Sequence, residues 1–141
     1  MRYFAVIDTN VLVSALLRFD SIPGQTVQEA LGGAIVPLLS KEILAEYGEV
    51  LRRAKFPLAE QDILDVLSGI QACGLNVELD QIPLETPDPD DAVFYAVVMQ
   101  KRKDADAYLV TGNLRHFPRK PFIVTPREML DIIKTGQAQE T

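Results

Sequence analysis

Four oxygen-bearing side chains stand where apolar segments begin, end or turn. Asp8 closes the strand-like run in "AVIDTN", Glu46 lies within "KEILAEY", Asp91 opens "DAVFYAVVM", and Asn113 follows "AYLVTG". Three carboxylates and an amide gathered at one place would make a hard-oxygen site, suited to Mg²⁺ or Mn²⁺ and not to the Cys and His ligands that zinc prefers. Like charges crowded together repel unless a cation sits among them. Sites of this kind hydrolyse phosphodiesters, the cation holding the phosphate, activating water and stabilising the leaving oxygen.

The elements decide whether these residues meet. Short apolar runs, "YFAVI", "AIVPLL", "LNVEL", "AYLVT" and "FIVT", alternate with amphipathic stretches, the pattern of an α/β domain with a mainly parallel sheet and helices on both faces. Ser40 is placed to cap "KEILAEY", Gly74 to end a helix before "LNVEL", Asp88 and Thr125 to cap helices whose first residues are Pro89 and Pro126. Ligands of open parallel sheets collect outside the carboxyl ends of the strands, so Asp8 is expected at that rim. Capping the helix that begins near Asn10 would by itself account for Asp8.

On the helix after Ser40, Glu46 falls nearer the apolar arc than Glu42 or Glu49, as a ligand or as an ordinary boundary residue. From Ala92 to Met99 the next relevant helix is apolar on every side and is expected to be largely buried. Asp91 lines up with Tyr95 and Val98, which turns it inward and Asp90 outward; either also suits a helix N-terminus. An inward carboxylate needs a partner, and a cation would serve. Gly112 is read as allowing a tight turn, and Asn113 as offering an oxygen to a ligand or capping "LRHF". Asp106 precedes its strand and belongs to the opposite end of the sheet. His116 reads as a surface or packing residue before it reads as catalytic.

At 141 residues the chain fits one domain, expected over residues 1–136 with a frayed tail at 137–141, and needs no disulfide or structural metal to build a core. Its one cysteine, Cys73, reads as a small buried hydrophobe in a reducing compartment. No run reaches the length of a membrane span or forms a signal peptide, so a cytoplasmic protein is expected. The net charge of −6, from 14 Lys+Arg against 20 Asp+Glu, argues against non-specific coating of nucleic acid. Lys101, Arg102, Lys103, Arg115, Arg119, Lys120 and Arg127 nevertheless concentrate basic charge in one part of the chain, against Asp104 and Asp106 alone. Taken alone, such a run describes a solvated face.

Taken together, "VIDTNVLVSALL", "LLSKEILAEYGEVLRR", "TPDPDDAVFYAVVMQ" and "ADAYLVTGNLRHFP" resemble the PIN-domain family, and within it VapC-like toxin components of toxin–antitoxin systems. The resemblance covers nearly the whole chain. It implies a three-layer α/β/α sandwich and a divalent-metal ribonuclease that uses Mg²⁺ or Mn²⁺, with Asp8, Glu46 and Asp91 at the three core acidic positions. Asn113 stands where many relatives carry a further Asp, a departure that removes one anionic charge. The expected activity is hydrolysis of single-stranded RNA, with Glu46 orienting the attacking water, Asn113 completing the shell, and Arg115, Arg119 or Lys120 guiding phosphate. The family further implies a homodimer and an antitoxin protein that occludes the rim. Two alternatives stand beside this reading. One is a PIN scaffold that binds RNA or a protein partner without cutting. The other is an aspartyl-phosphate enzyme or receiver, similar in its strand ending Asp-Thr-Asn, although the haloacid-dehalogenase phosphatases want an Asp where this chain has Asn10.

Overall fold

The computed structural model describes residues 2–80 and 89–140, with the side chains of 89, 90 and 138–140 left aside. Five strands form one wholly parallel sheet: β1 (Tyr3–Ile7), β2 (Ile35–Leu39), β3 (Leu75–Asn76), β4 (Ala107–Val110) and β5 (Ile123–Val124). The spatial order is β3-β2-β1-β4-β5. From β1 the chain therefore winds outward through β2 and β3, then returns to the other side of β1 with β4 and β5. The crevice between the carboxyl ends of β1 and β4 is the topological switch point, where open α/β sheets bind their ligands. Register across it pairs Ile7 with Val110, so Asp8 and Thr111 leave the sheet side by side.

Among the described residues, six helices complete the α/β sandwich: α1 (Thr9–Leu17), α2 (Ile22–Leu31), α3 (Lys41–Leu51), α4 (Glu60–Cys73), α5 (Pro89–Lys101) and α6 (Pro126–Glu140). β1, β2, β4 and β5 are near-continuous apolar runs because a parallel sheet covered by helices is buried on both faces, while the two residues of the edge strand β3 are exposed. Every residue of β2 is buried, as are Ala5, Val6 and Ile7 of β1. α5 packs on β1 and β4 and against α3, which brings the first turns of those helices towards the same sheet end.

Pro37 sits inside a central strand without breaking it. Its carbonyl faces the side of Gly74, and pairing of β2 with β3 starts only at Leu38, so the amide that proline lacks has no ladder bond to make. A Cβ on Gly74 would meet that carbonyl at 2.9 Å and Leu39 Cδ1 at 2.5 Å, and this close approach explains the glycine at the end of α4.

The expected caps at Ser40 and Thr125 are present. Ser40 Oγ accepts from the Ile43 amide at 3.1 Å, and Thr125 forms a reciprocal capping box with Glu128. Asp88 lies outside the described residues, as does the side chain of Asp90.

Several expectations change. The first two crossovers each contain two helices, not one, because Ser21 caps a second helix whose second residue is Pro23, and a turn through Phe56 and Pro57 separates α3 from α4. β3 is two residues long, since its partner β2 ends at Leu39. On α5, Phe94, Val97 and Val98 are buried, but Met99 is 39 % exposed, so that helix does have an outer side. Cys73 is half-buried, with its Sγ 3.7 Å from the Leu31 carbonyl, and is less enclosed than a core thiol. Among the described residues, no helix is long and apolar enough to cross a membrane.

Candidate active site at the carboxyl ends of the strands

Five polar side chains are buried among the described residues, and four of them, Asp8, Thr9, Ser40 and Thr111, follow directly on the carboxyl ends of β1, β2 or β4. Burying polar groups costs free energy unless each is paired. At this end of the sheet the buried polar side chains have such partners, Thr111 with Asp8, Thr9 with Glu46 and Ser40 with the Ile43 amide.

Asp8 is 5 % exposed and occupies the N-cap position of α1, yet its side chain makes no capping bond to the helix. Its one well-formed side-chain hydrogen bond lies elsewhere. Oδ2 instead accepts a hydrogen bond of 2.7 Å from Thr111 Oγ1, across the switch-point crevice. Burial raises its pKa above the ordinary Asp value near 3.8, opposed by the Thr111 hydroxyl, the neighbouring amides of Thr9 and Asn10, and the electrostatic influence of His116. The rise wins. These neighbours do not fully offset the loss of water, and a divalent cation is the kind of partner that would.

Glu46 is the inward glutamate of α3. It is half-buried while Glu42 and Glu49 are exposed, and it accepts a short hydrogen bond from Thr9 Oγ1. The next residue, Tyr47, is buried against Phe94, and its hydroxyl donates to the Ile7 carbonyl immediately before Asp8. Burial first, then the charges of Asp8 and Glu46, push this phenol far above its ordinary range, so it remains a proton donor. Tyr47→Phe is expected to cost about 1–2 kcal/mol, the lost bond plus a buried carbonyl left with one donor fewer, measurable as a lower urea midpoint at unchanged m-value.

Asp91, on the first turn of α5, has a side chain only 14 % exposed; its Oδ2 lies 3.3 Å from His116 Nδ1. His116 belongs to a 3-10 turn, Leu114–His116, that follows β4. Its other ring nitrogen, Nε2, lies 2.9 Å from Asn113 Nδ2. Asn113 thus points its amide nitrogen at the imidazole, and its backbone amide donates to Thr111 Oγ1 at 3.0 Å. Gly112 takes no positive φ, and a Cβ there would meet nothing within 4 Å, so the turn does not require glycine as expected.

Sequence reasoning missed Thr9, Thr111 and Tyr47 and set His116 aside. The available signals were slight: hydroxyls adjoining strand-ending residues, and a histidine three positions after Asn113 on a turn.

The basic residues divide by position. Lys101 and Arg102 stand near the amino end of β4, over the Phe4 and Phe122 rings, with Arg102 Nη1 donating to the Ala107 carbonyl at 2.7 Å. Exposed Asp106 pairs with Arg102 at that same end, away from the rim. Arg115, Arg119 and Lys120 line a cleft of about 270 Å³ with Leu114, Phe117, Pro118 and Ile123, continuing directly from the 3-10 turn.

By chemistry the carboxylates of Asp8, Glu46 and Asp91 fit a hard divalent cation. Among the described residues, no three Asp, Glu, His or Cys side chains are already drawn together as a cation cage. Each carboxylate is instead held by a neighbouring group: Asp8 by Thr111, Glu46 by Thr9, Asp91 by His116. A family model described as PIN domain matches residues 5–115, which span all of these groups except His116. No match was found among curated proteins.

Proposed function

The chain belongs to the PIN-domain family, and from that premise we propose that it is an endoribonuclease that hydrolyses single-stranded RNA with Mg²⁺ or Mn²⁺ bound by Asp8, Glu46 and Asp91. The single observation that carries the reading is Asp8: a carboxylate at the switch point, 5 % exposed, whose neighbours leave its charge under-compensated. A cation there supplies Lewis-acid stabilisation of charge on the scissile phosphate. Glu46, steadied by Thr9, orients the attacking water and accepts its proton. Arg115, Arg119 and Lys120 draw the flanking phosphates towards the rim, which lets an acidic protein engage an acidic polymer. On the same reading the chain is the toxin of a toxin–antitoxin pair, works in the cytoplasm as a homodimer, and is silenced by an antitoxin that covers the rim.

Cleavage of an end-labelled single-stranded RNA by purified protein, compared in Mn²⁺, Mg²⁺ and EDTA, tests the proposal. Products are expected with metal and absent with EDTA. Equal cleavage in EDTA would sink it.

A second reading, an RNA-binding PIN scaffold without hydrolysis, is favoured by one observation, that position 113 brings an uncharged amide to the rim and turns its nitrogen to His116. RNA retention in EDTA, with intact RNA recovered under every metal, would select it.

A further inference from the structure

Two carboxylates of the rim are held by one short segment of chain. Thr111 Oγ1 donates to Asp8 Oδ2 at 2.7 Å and accepts from the Asn113 backbone amide at 3.0 Å. Asn113 Nδ2 then meets His116 Nε2 at 2.9 Å, and His116 Nδ1 lies 3.3 Å from Asp91 Oδ2. The turn itself is closed by the His116 amide donating to the Asn113 carbonyl at 3.2 Å. The path from Asp8 to Asp91 therefore runs without a break through residues 111–116.

The direction of these bonds follows from the donors. A carboxamide nitrogen can only donate, so Nε2 facing Asn113 is the acceptor and the ring N–H sits on Nδ1, the nitrogen 3.3 Å from Asp91 Oδ2. A carboxylate at position 113 could only accept, and would not fix that tautomer. One imidazole N–H uses one of the several lone-pair positions of Asp91 and leaves others for a cation.

We propose that His116 is a positioning residue that holds Asp91 at the rim, and that Asn113 acts as the brace of that imidazole and not as a cation ligand in its own right. The inference rests on the divalent-metal reading above. Groups that orient ligating carboxylates typically change cation affinity by about 10–100-fold when removed.

Isothermal titration of Mn²⁺ alone into the 141-residue protein tests this, with circular dichroism melts confirming that each variant is folded. His116→Ala is expected to weaken Mn²⁺ binding by about 10–100-fold. His116→Asn, whose amide N–H can stand where Nδ1–H stands, is expected to retain most of the affinity, which a lost imidazole ligand would not allow. Asn113→Ala should weaken binding, and the Asn113→Ala/His116→Ala double variant should be no weaker than His116→Ala, because the two act in series.

Single effects that multiply in the double variant would overturn the brace and make Asn113 an independent ligand. Mn²⁺ binding lost in Asp8→Asn but unchanged in His116→Ala would overturn this inference and leave the metal reading standing. Wild-type protein that takes up no Mn²⁺ would overturn both.

Discussion

Asp8→Asn is expected to lower metal-dependent RNA cleavage by more than about 100-fold, because changes one step removed from a cation already cost about 10–100-fold. In metal-free buffer at neutral pH the same variant is expected to melt above the wild type. The sign follows from burial. Desolvation raises the Asp8 pKa above the ordinary value, so between that value and the raised one the folded protein binds more protons than the unfolded chain. Stability contributed by Asp8 is then fully present below the ordinary Asp range and is lost as pH rises through the folded-state value. Asparagine keeps an oxygen for Thr111 and carries no charge to desolvate. Its advantage should be largest near neutrality, shrink as pH falls through the Asp range, and reverse when Mn²⁺ is added, since only the wild type gains from the cation. Calorimetric melts at several pH values, with and without Mn²⁺, check the whole pattern. A variant that melts lower at neutral pH without metal would show that Asp8 is a stabilising contact and not an under-compensated charge.

Thr111→Val is expected to have the opposite effect on stability through the same carboxylate. The hydroxyl is fully buried and donates to Asp8 at 2.7 Å while accepting from the Asn113 amide at 3.0 Å. Valine preserves the volume but removes both bonds. Hydrogen bonds to charged groups contribute about 1.5–3 kcal/mol each, so a loss in that range is expected at neutral pH. The loss should shrink in acid, where Asp8 is protonated and needs its donor less, and it should be smaller in an Asp8→Asn background. Urea denaturation of the four proteins of this cycle measures the coupling directly. Strict additivity would mean that Thr111 supports the loop alone. Cleavage should fall as well, because Asp8 and the turn that carries His116 lose a shared anchor.

These two residues also mark where sequence reasoning stopped. Asp8 was legible because an apolar strand ends on it, and the alternation of strands and helices is enough to assign it to the carboxyl end of a parallel sheet. Thr111 was not, because a threonine closing a β-rich run satisfies strand preference before it advertises any other role. Glu46 could be distinguished from Glu42 and Glu49 by helical periodicity, and those two are the exposed ones. Its partner Thr9 could not be named, since nothing in the local pattern of α1 states which residue of α3 lies opposite. His116 shows the limit most plainly. Its ring reaches Asp91 only because α5 and the turn after β4 end at the same side of the sheet, far apart in sequence.

By itself the sequence determined the α/β class, the family, and which acidic residues stand near strand ends and helix starts, because periodicity and capping are local properties of the chain. It did not determine that each of the first two crossovers splits into two helices, that β1 lies between β2 and β4, or that residues 111–116 join Asp8 to Asp91. Those are outcomes of packing. Which strand pairs with which, and therefore which side chains share a crevice, depends on burying all helix faces on one sheet at once, and no short stretch of sequence contains that condition.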